Sequence, residues 1–222
     1  MKITDKPIRA FRSELRRPLN SILSLTEILD EEIHGPLNDR QHQSLRRIIQ
    51  ESQRLLNLTD QFSNLIDIES GQLQPQPATV WLADLCQISV RIAREQAYKK
   101  GITIKLDYDN QVETMVTDEW MLKYVLGKLV VSQVSIAPEG GIVTLVVKGN
   151  RDENTVRFST LDDRSEISTS QPFDEAAGNE NCLDQVLVRK MVEMLGGTCP
   201  VLPRGHAGAA TFSLPWNRQQ LS

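Results

Sequence analysis

Cysteine, histidine and long apolar runs are all scarce in this chain of 222 residues, and each scarcity closes off a class of function. The three cysteines, Cys86, Cys182 and Cys199, stand far apart, with no Cys-x-x-Cys pair and no histidine at ligand spacing. That argues against a disulfide framework and against a zinc site. No run of about 18 apolar residues occurs, and the opening MKITDKPIRAFRSEL carries charges where a secretion signal would have an apolar stretch. A soluble, cytoplasmic protein with no membrane association is expected. Charge of one sign is lacking too: the net charge is -4 with 24% charged residues, which gives no broad basic footprint for nucleic acid.

What is present is apolar periodicity, and it changes along the chain. From Ile8 to Ile68 the apolar residues step by three and four, through Phe11, Leu15, Leu19, Ile22, Leu25 and Leu29, then resume at Leu45 and Ile48. Between the runs, Gly35 can end one helix, Pro36 prevents its continuation, and Asn38 or Asp39 can cap the next. This predicts a helical hairpin over residues 1–70. Two helices enclose no core, so a second copy is the expected partner, giving a homodimer built on a four-helix bundle.

A Gly-, Pro- and Gln-rich stretch, residues 71–78, reads as a linker. Over residues 79–222 short β-prone runs alternate with helical ones. ITIKLDY, MVT, GIVTLVVKG, TVRFSTL and ATFSLPW read as strands; LADLCQISVRIAREQAYKK, DEWMLKYVLGKLVVSQVSI and CLDQVLVRKMVEML read as helices. The order fits a two-domain α+β chain, whose second part is a sheet with helices on one face.

Several of these segments together, SELRRPLNSIL, GPLND, IESGQL, DEWMLKYVL, PEGG, LVRKMVEMLGG and ATFSLPW, resemble the transmitter core of sensor histidine kinases over nearly the whole chain. The resemblance implies a dimerising hairpin followed by an ATP-binding α/β sandwich. It also implies an acceptor histidine at the position of Ser13, with Glu14 matching the family's acidic neighbour. A serine hydroxyl needs a base to become a nucleophile and forms a phosphoester that transfers poorly onward, so phosphorelay through Ser13 is not expected. Arg17 replaces the Thr or Asn that the family uses to orient water.

The nucleotide motifs also depart from the family. Alignment places Lys128 and Ser132 where two asparagines serve the magnesium ion. Asp162 matches the adenine-binding aspartate, but Arg164 and Glu166 replace the two glycines of its box, adding side chains where close approach needs none. Cys182 and Asp184 replace the glycines of the second box, so a helix start that should welcome phosphate carries a carboxylate. Gly205 and Gly208 retain a third glycine turn. Together these changes lead to the expectation of a degenerate member, a pseudokinase with no enzyme activity and no ATP or Mg²⁺ as cofactor. Two alternatives stay open: an atypical ATP-dependent enzyme using Asp162, with Lys128 or Arg164 on phosphates and Ser13 or His42 as acceptor, and a small-molecule sensor using the vacated cleft.

Arg9, Arg12, Arg16 and Arg17 crowd the first helix around Ser13. In the family, receiver domains of response regulators dock beside this position with an acidic pocket. The expected partner is therefore a receiver domain, or a partner histidine kinase, held by these arginines and by Leu19; a solvated face paired with nearby acids is the plain alternative. His34, His42 and His206 lie outside any acceptor motif. Trp81, Trp120 and Trp216 read as core or interface anchors.

Overall fold

A computed structural model describes residues 5–33, 35–163, 182–201 and 210–216, giving only the backbone for residues 5–11, 182, 200 and 201. The chain forms two compact units, Met1–Leu73 and Gln74–Ser222.

The first unit is the hairpin, α1 (Asp5–Asp30) and α2 (Asp39–Glu69). Its turn is built by local chemistry. Asn38 caps α2: its side chain accepts from Gln41 N–H at 3.0 Å, while Gln41 Oε1 accepts from Asn38 N–H at 2.8 Å. Both orphan donors of the helix start are thus satisfied. Gly35 adopts φ 117°, which a side chain would oppose. Glu32 takes the Leu37 N–H at 2.9 Å and lies 3.1 Å from His42 Nε2, with Asp30 3.5 Å from the other ring nitrogen. The Leu37 hydrogen bond and His42 hold the Glu32 carboxyl below its ordinary range. Along the hairpin, Leu19 and Leu45 are buried, yet Ile22, Leu25 and Leu29 on α1 and Ile48, Leu55 and Phe62 on α2 stay 39% to 60% exposed. The α2 trio repeats every seven residues, as an unfilled bundle seam does.

At the end of α2, Gly71 adopts φ 72°, and the amides of Gln72 and Leu73 turn back to the Asp67 carbonyl. The second unit then begins with β1 (Ala78–Trp81) and continues through α3 (Leu82–Lys99), β2 (Thr103–Tyr108), β3 (Thr114–Thr117), α4 (Glu119–Ile136), β4 (Ile142–Asn150), β5 (Thr155–Asp162), α5 (Cys182–Met194), β6 (Thr198–Val201) and β7 (Ala210–Pro215). Strands β2-β4-β5-β7-β6 form one sheet, parallel only between β2 and β4, and β1 pairs with β3 in a separate antiparallel ribbon. Alternation along β4 and β5 sends Val143, Leu145 and Val147 and Val156, Phe158 and Thr160 to one buried face. There Phe158 stacks on Phe212 of β7, with ring centroids 4.9 Å apart. Helix α4 lies between α3 and α5 and is apolar nearly all round, with Met121, Leu122, Val125, Leu126 and Val130 fully enclosed.

The α+β architecture is the expected one. Two short strands depart from it. β1 starts inside the stretch read as a linker, and β6 contains Pro200, which is tolerated because β6 is the sheet's edge. Of the three tryptophans, only Trp216 is core, at 2% exposure; Trp81 and Trp120 are 56% and 47% exposed.

Candidate functional site

On α1, Ser13, Glu14 and Arg17 are exposed and Arg12 is half-buried. Pro18 lies inside the helix one turn later. Its ring nitrogen has no hydrogen to donate, so the carbonyl of Glu14 loses its helical partner next to Ser13. Arg16 does not stand free: its guanidinium meets Asp60 of α2 at 2.7 Å. The expected docking role of Leu19 is corrected by its burial inside the hairpin, at 9% exposure. Arg9 has only its backbone described. His42 is held between Asp30 and Glu32 at the turn, which lies about 25 Å from Ser13 along α1 at 1.5 Å per residue.

In the sandwich, the structure brings together two positions that sequence separation hides. Lys128 on α4 and Asp184 in the first turn of α5 form an ion pair, with Nζ 2.8 Å from Oδ1 and 3.0 Å from Oδ2. Tyr124, one turn before Lys128, directs its hydroxyl toward the same carboxylate at 3.4 Å, and the Lys128 ammonium lies 5.5 Å from the Tyr124 ring centre. Trp120, a further turn back, packs on Tyr124 at 6.0 Å. Ser132 is half-buried on α4, and its carbonyl accepts from the Ser135 hydroxyl. Asp162 is buried at the end of β5. On the same face of β5, Thr160 donates to Gln133 Oε1 at 3.4 Å, and the fully buried Gln133 Nε2 has no partner among the described residues. Arg164, Glu166, His34, His206, Gly205 and Gly208 lie outside the described residues, and Cys182 has only its backbone described, opening α5.

The donor set can be tested against the magnesium ion that this fold family uses. Lys128 places an ammonium at one asparagine position, and Ser132 offers one neutral hydroxyl at the other. Mg²⁺ requires a near-octahedral set of oxygens, commonly with a carboxylate among them. The neighbouring carboxylate, Asp184, is already paired with Lys128. The residues do not fit a magnesium ion. The missed elements, Tyr124, Gln133 and the pairing of 128 with 184, had one legible signal: opposite charges at two positions where the family carries neutral residues.

Comparison with known proteins bears on the whole chain. Residues 9–71 match the His Kinase A (phospho-acceptor) domain. The "Non-motile and phage-resistance protein" of Caulobacter vibrioides is 31% identical over 91% of this chain and 26% of its own length. "Histidine protein kinase DivJ" of the same organism is 25% identical over 88% of this chain and 34% of its own length. The chain therefore spans about a quarter to a third of these relatives. Among solved structures, full-length ShkA in complex with AMPPNP has a TM-score of 0.73 at 22% identity, over 98% of this chain and 47% of that one. Histidine kinase ThkA in complex with response regulator TrrA has a TM-score of 0.57 at 18% identity, over 96% and 62%.

These findings overturn the expectation of a pseudokinase without enzyme activity. Relatives aligned across most of the chain include a protein named as a histidine protein kinase. The first unit thus matches the phospho-acceptor hairpin of histidine kinases, and the described chain has the fold of solved histidine-kinase cores.

Proposed function

We propose that this chain works in two-component signalling as a homodimer whose α1 face around Ser13 docks the receiver domain of a response regulator. The observation that carries the dimer is the exposed heptad row Ile48, Leu55 and Phe62, facing the same need as Ile22, Leu25 and Leu29. A second hairpin laid on these rows removes them from water at roughly 25 cal/mol per Å². The docking is supported by charge: the side chains of Arg12 and Arg17 make no ion pair among the described residues and flank an exposed serine, while receiver domains carry an acidic pocket. Arg16 contributes indirectly, since its pair with Asp60 neutralises a carboxylate that would repel an acidic partner. The solved complex of ThkA with TrrA, on the same fold, fits such a partner.

The test is a calorimetric titration of the full chain with purified receiver domains from the source organism, comparing the wild type with Arg12→Glu/Arg17→Glu. Saturable binding, weakened on the order of tenfold or more by the double charge reversal, is expected. An unchanged affinity in the variant removes α1 as the docking face, and no binding across the receiver set removes the reading altogether.

A further inference from the structure

We propose that the open face of the five-stranded sheet docks the acidic surface of a partner protein through Lys105, Lys148 and Arg157. This face lies in the second unit and goes beyond the receiver docking on α1, so either reading can fail alone.

Alternating burial assigns the face. Val143, Leu145 and Val147 of β4 and Val156, Phe158 and Thr160 of β5 are enclosed on the helix side. Their neighbours Thr144, Val146 and Lys148, and Arg157, Ser159 and Leu161, therefore point the other way, and all six keep contact with solvent. The register sets Lys148 directly opposite Arg157. Like charges at facing positions of an antiparallel pair, about 5 Å apart at Cβ, cost the free sheet stability. Asp107 of β2 relieves Lys148, with Oδ2 3.0 Å from Nζ. Arg157 and Lys105, both exposed, make no ion pair among the described residues. Within the strands, three cations thus stand against one carboxylate, on a chain whose net charge is -4. The face has the opposite sign from the molecule that carries it.

The ground between these charges is neutral. Thr144 faces Leu161 and Val146 faces Ser159, while Ser213 of β7 lies across from Arg157 and adds a hydroxyl beside the guanidinium. An apolar and hydroxyl centre with charge at its edge is the composition of a protein interface. The charges also choose the occupant. A second copy laid on this face sets cations against cations, which disfavours self-association. Three cations are few for a nucleic acid, whose affinity grows with each phosphate neutralised. Carboxylates on a protein surface fit: Arg157 can take one in a two-pronged hydrogen bond, and the opposed cations gain the countercharge that the free sheet lacks.

The test is titration of the isotope-labelled full chain with poly-L-glutamate, followed by amide chemical shifts, with double-stranded DNA of matched charge as the comparison. The chains are the wild type, Arg157→Glu and Arg12→Glu/Arg17→Glu. Poly-L-glutamate is expected to shift amides of β4, β5 and β7 in the wild type and in the α1 double variant, and to bind Arg157→Glu on the order of tenfold more weakly at the sheet. The same substitution turns the facing cations into an opposite-charge pair, so the urea midpoint of Arg157→Glu should not fall, which separates lost binding from lost folding. Should Arg157→Glu fail to fold, Arg157→Gln makes the same test. The proposal is overturned if Arg157→Glu binds as tightly as the wild type, or if millimolar poly-L-glutamate leaves the sheet amides unmoved. It is overturned equally if the sheet shifts vanish in the α1 double variant, or if DNA binds the sheet more tightly than poly-L-glutamate does.

Discussion

The hairpin and the sandwich use their apolar residues in opposite ways. In the sandwich, the alternating faces of β4, β5 and β7 and the surrounded helix α4 bury their side chains within one chain. In the hairpin, among described residues, only Leu19 and Leu45 are buried hydrophobics, while both helices keep exposed apolar rows at helical spacing. The sandwich is a finished core, and the hairpin is half of one. On the proposed dimer, folding and assembly become separable: the second unit buries its apolar residues within one chain, and the first gains further burial from a partner surface.

The sharpest way to test this contrast is at Phe158, which stacks on Phe212 at the centre of the sheet. Phe158→Ala removes a fully buried ring and is expected to cost about 3–5 kcal/mol in denaturant unfolding. The loss should be independent of protein concentration, because the cavity lies within one chain. Leu55→Asp gives the complementary result. Leu55 is 51% exposed, so the substitution leaves the single hairpin's own packing almost untouched but sets a carboxylate in the row a second copy would cover. Sedimentation equilibrium should show a dimer for the wild type and a monomer for the variant, with the sandwich transition unmoved. A variant that stays dimeric would place the interface elsewhere.

Much of this contrast is legible in the sequence, and the illegible remainder has a common cause. Steps of three and four mark α1 and α2, and Gly35 and Asn38 mark the turn, because helix periodicity and capping are local properties. β4 and β5 are marked by runs of β-prone residues, in strands nine and eight residues long. β1 and β6 have four residues each, too few for a period; one follows a proline-rich stretch and the other contains Pro200. The site is harder to read. Lys128 and Asp184 are 56 residues apart and Arg16 and Asp60 are 44 apart, so no spacing rule joins them. Leu19 looked like a docking residue because its helix face was known only by periodicity, and periodicity does not say which of two apolar stripes the other helix covers.

The two units also differ in the pH at which they weaken. In the sandwich, burial pushes the Cys86 thiol from 9.0 to about 12, and Tyr108, whose hydroxyl donates to the Val112 carbonyl, is pushed from 10.0 to about 12, chiefly by burial. A raised folded-state value means that stability is fully present below the unfolded value and lost as pH rises toward the folded one. Urea midpoints of the sandwich should therefore fall progressively from about pH 9 upward. Cys86→Ala should flatten part of that fall, leaving the share of Tyr108. In the hairpin the sign reverses. The Glu32 carboxyl is held below 4.5, so its contribution is present above that value and disappears as pH drops through the folded one. An alkaline loss confined to the hairpin would contradict this assignment.

The smallest expected effect is at the cap of α2, and it distinguishes local from assembled stability within the hairpin. Asn38→Ala deletes the side-chain acceptor for Gln41 N–H and leaves that donor to water, at a cost of about 1 kcal/mol. The turn is exposed, so little packing is lost with it. Because the cap acts on its own helix, the loss should be the same for the dimer and for a Leu55→Asp monomer. Asn38 also lines a surface cavity of about 420 Å³ together with Leu29, Leu45 and Ile48, the last being the first member of the exposed α2 row. If a second copy's side chains fill that cavity, the cost of Asn38→Ala in the dimer will exceed the cost in the monomer, and the difference measures how far the partner reaches toward the turn. Equal costs would end the partner's footprint short of the cap.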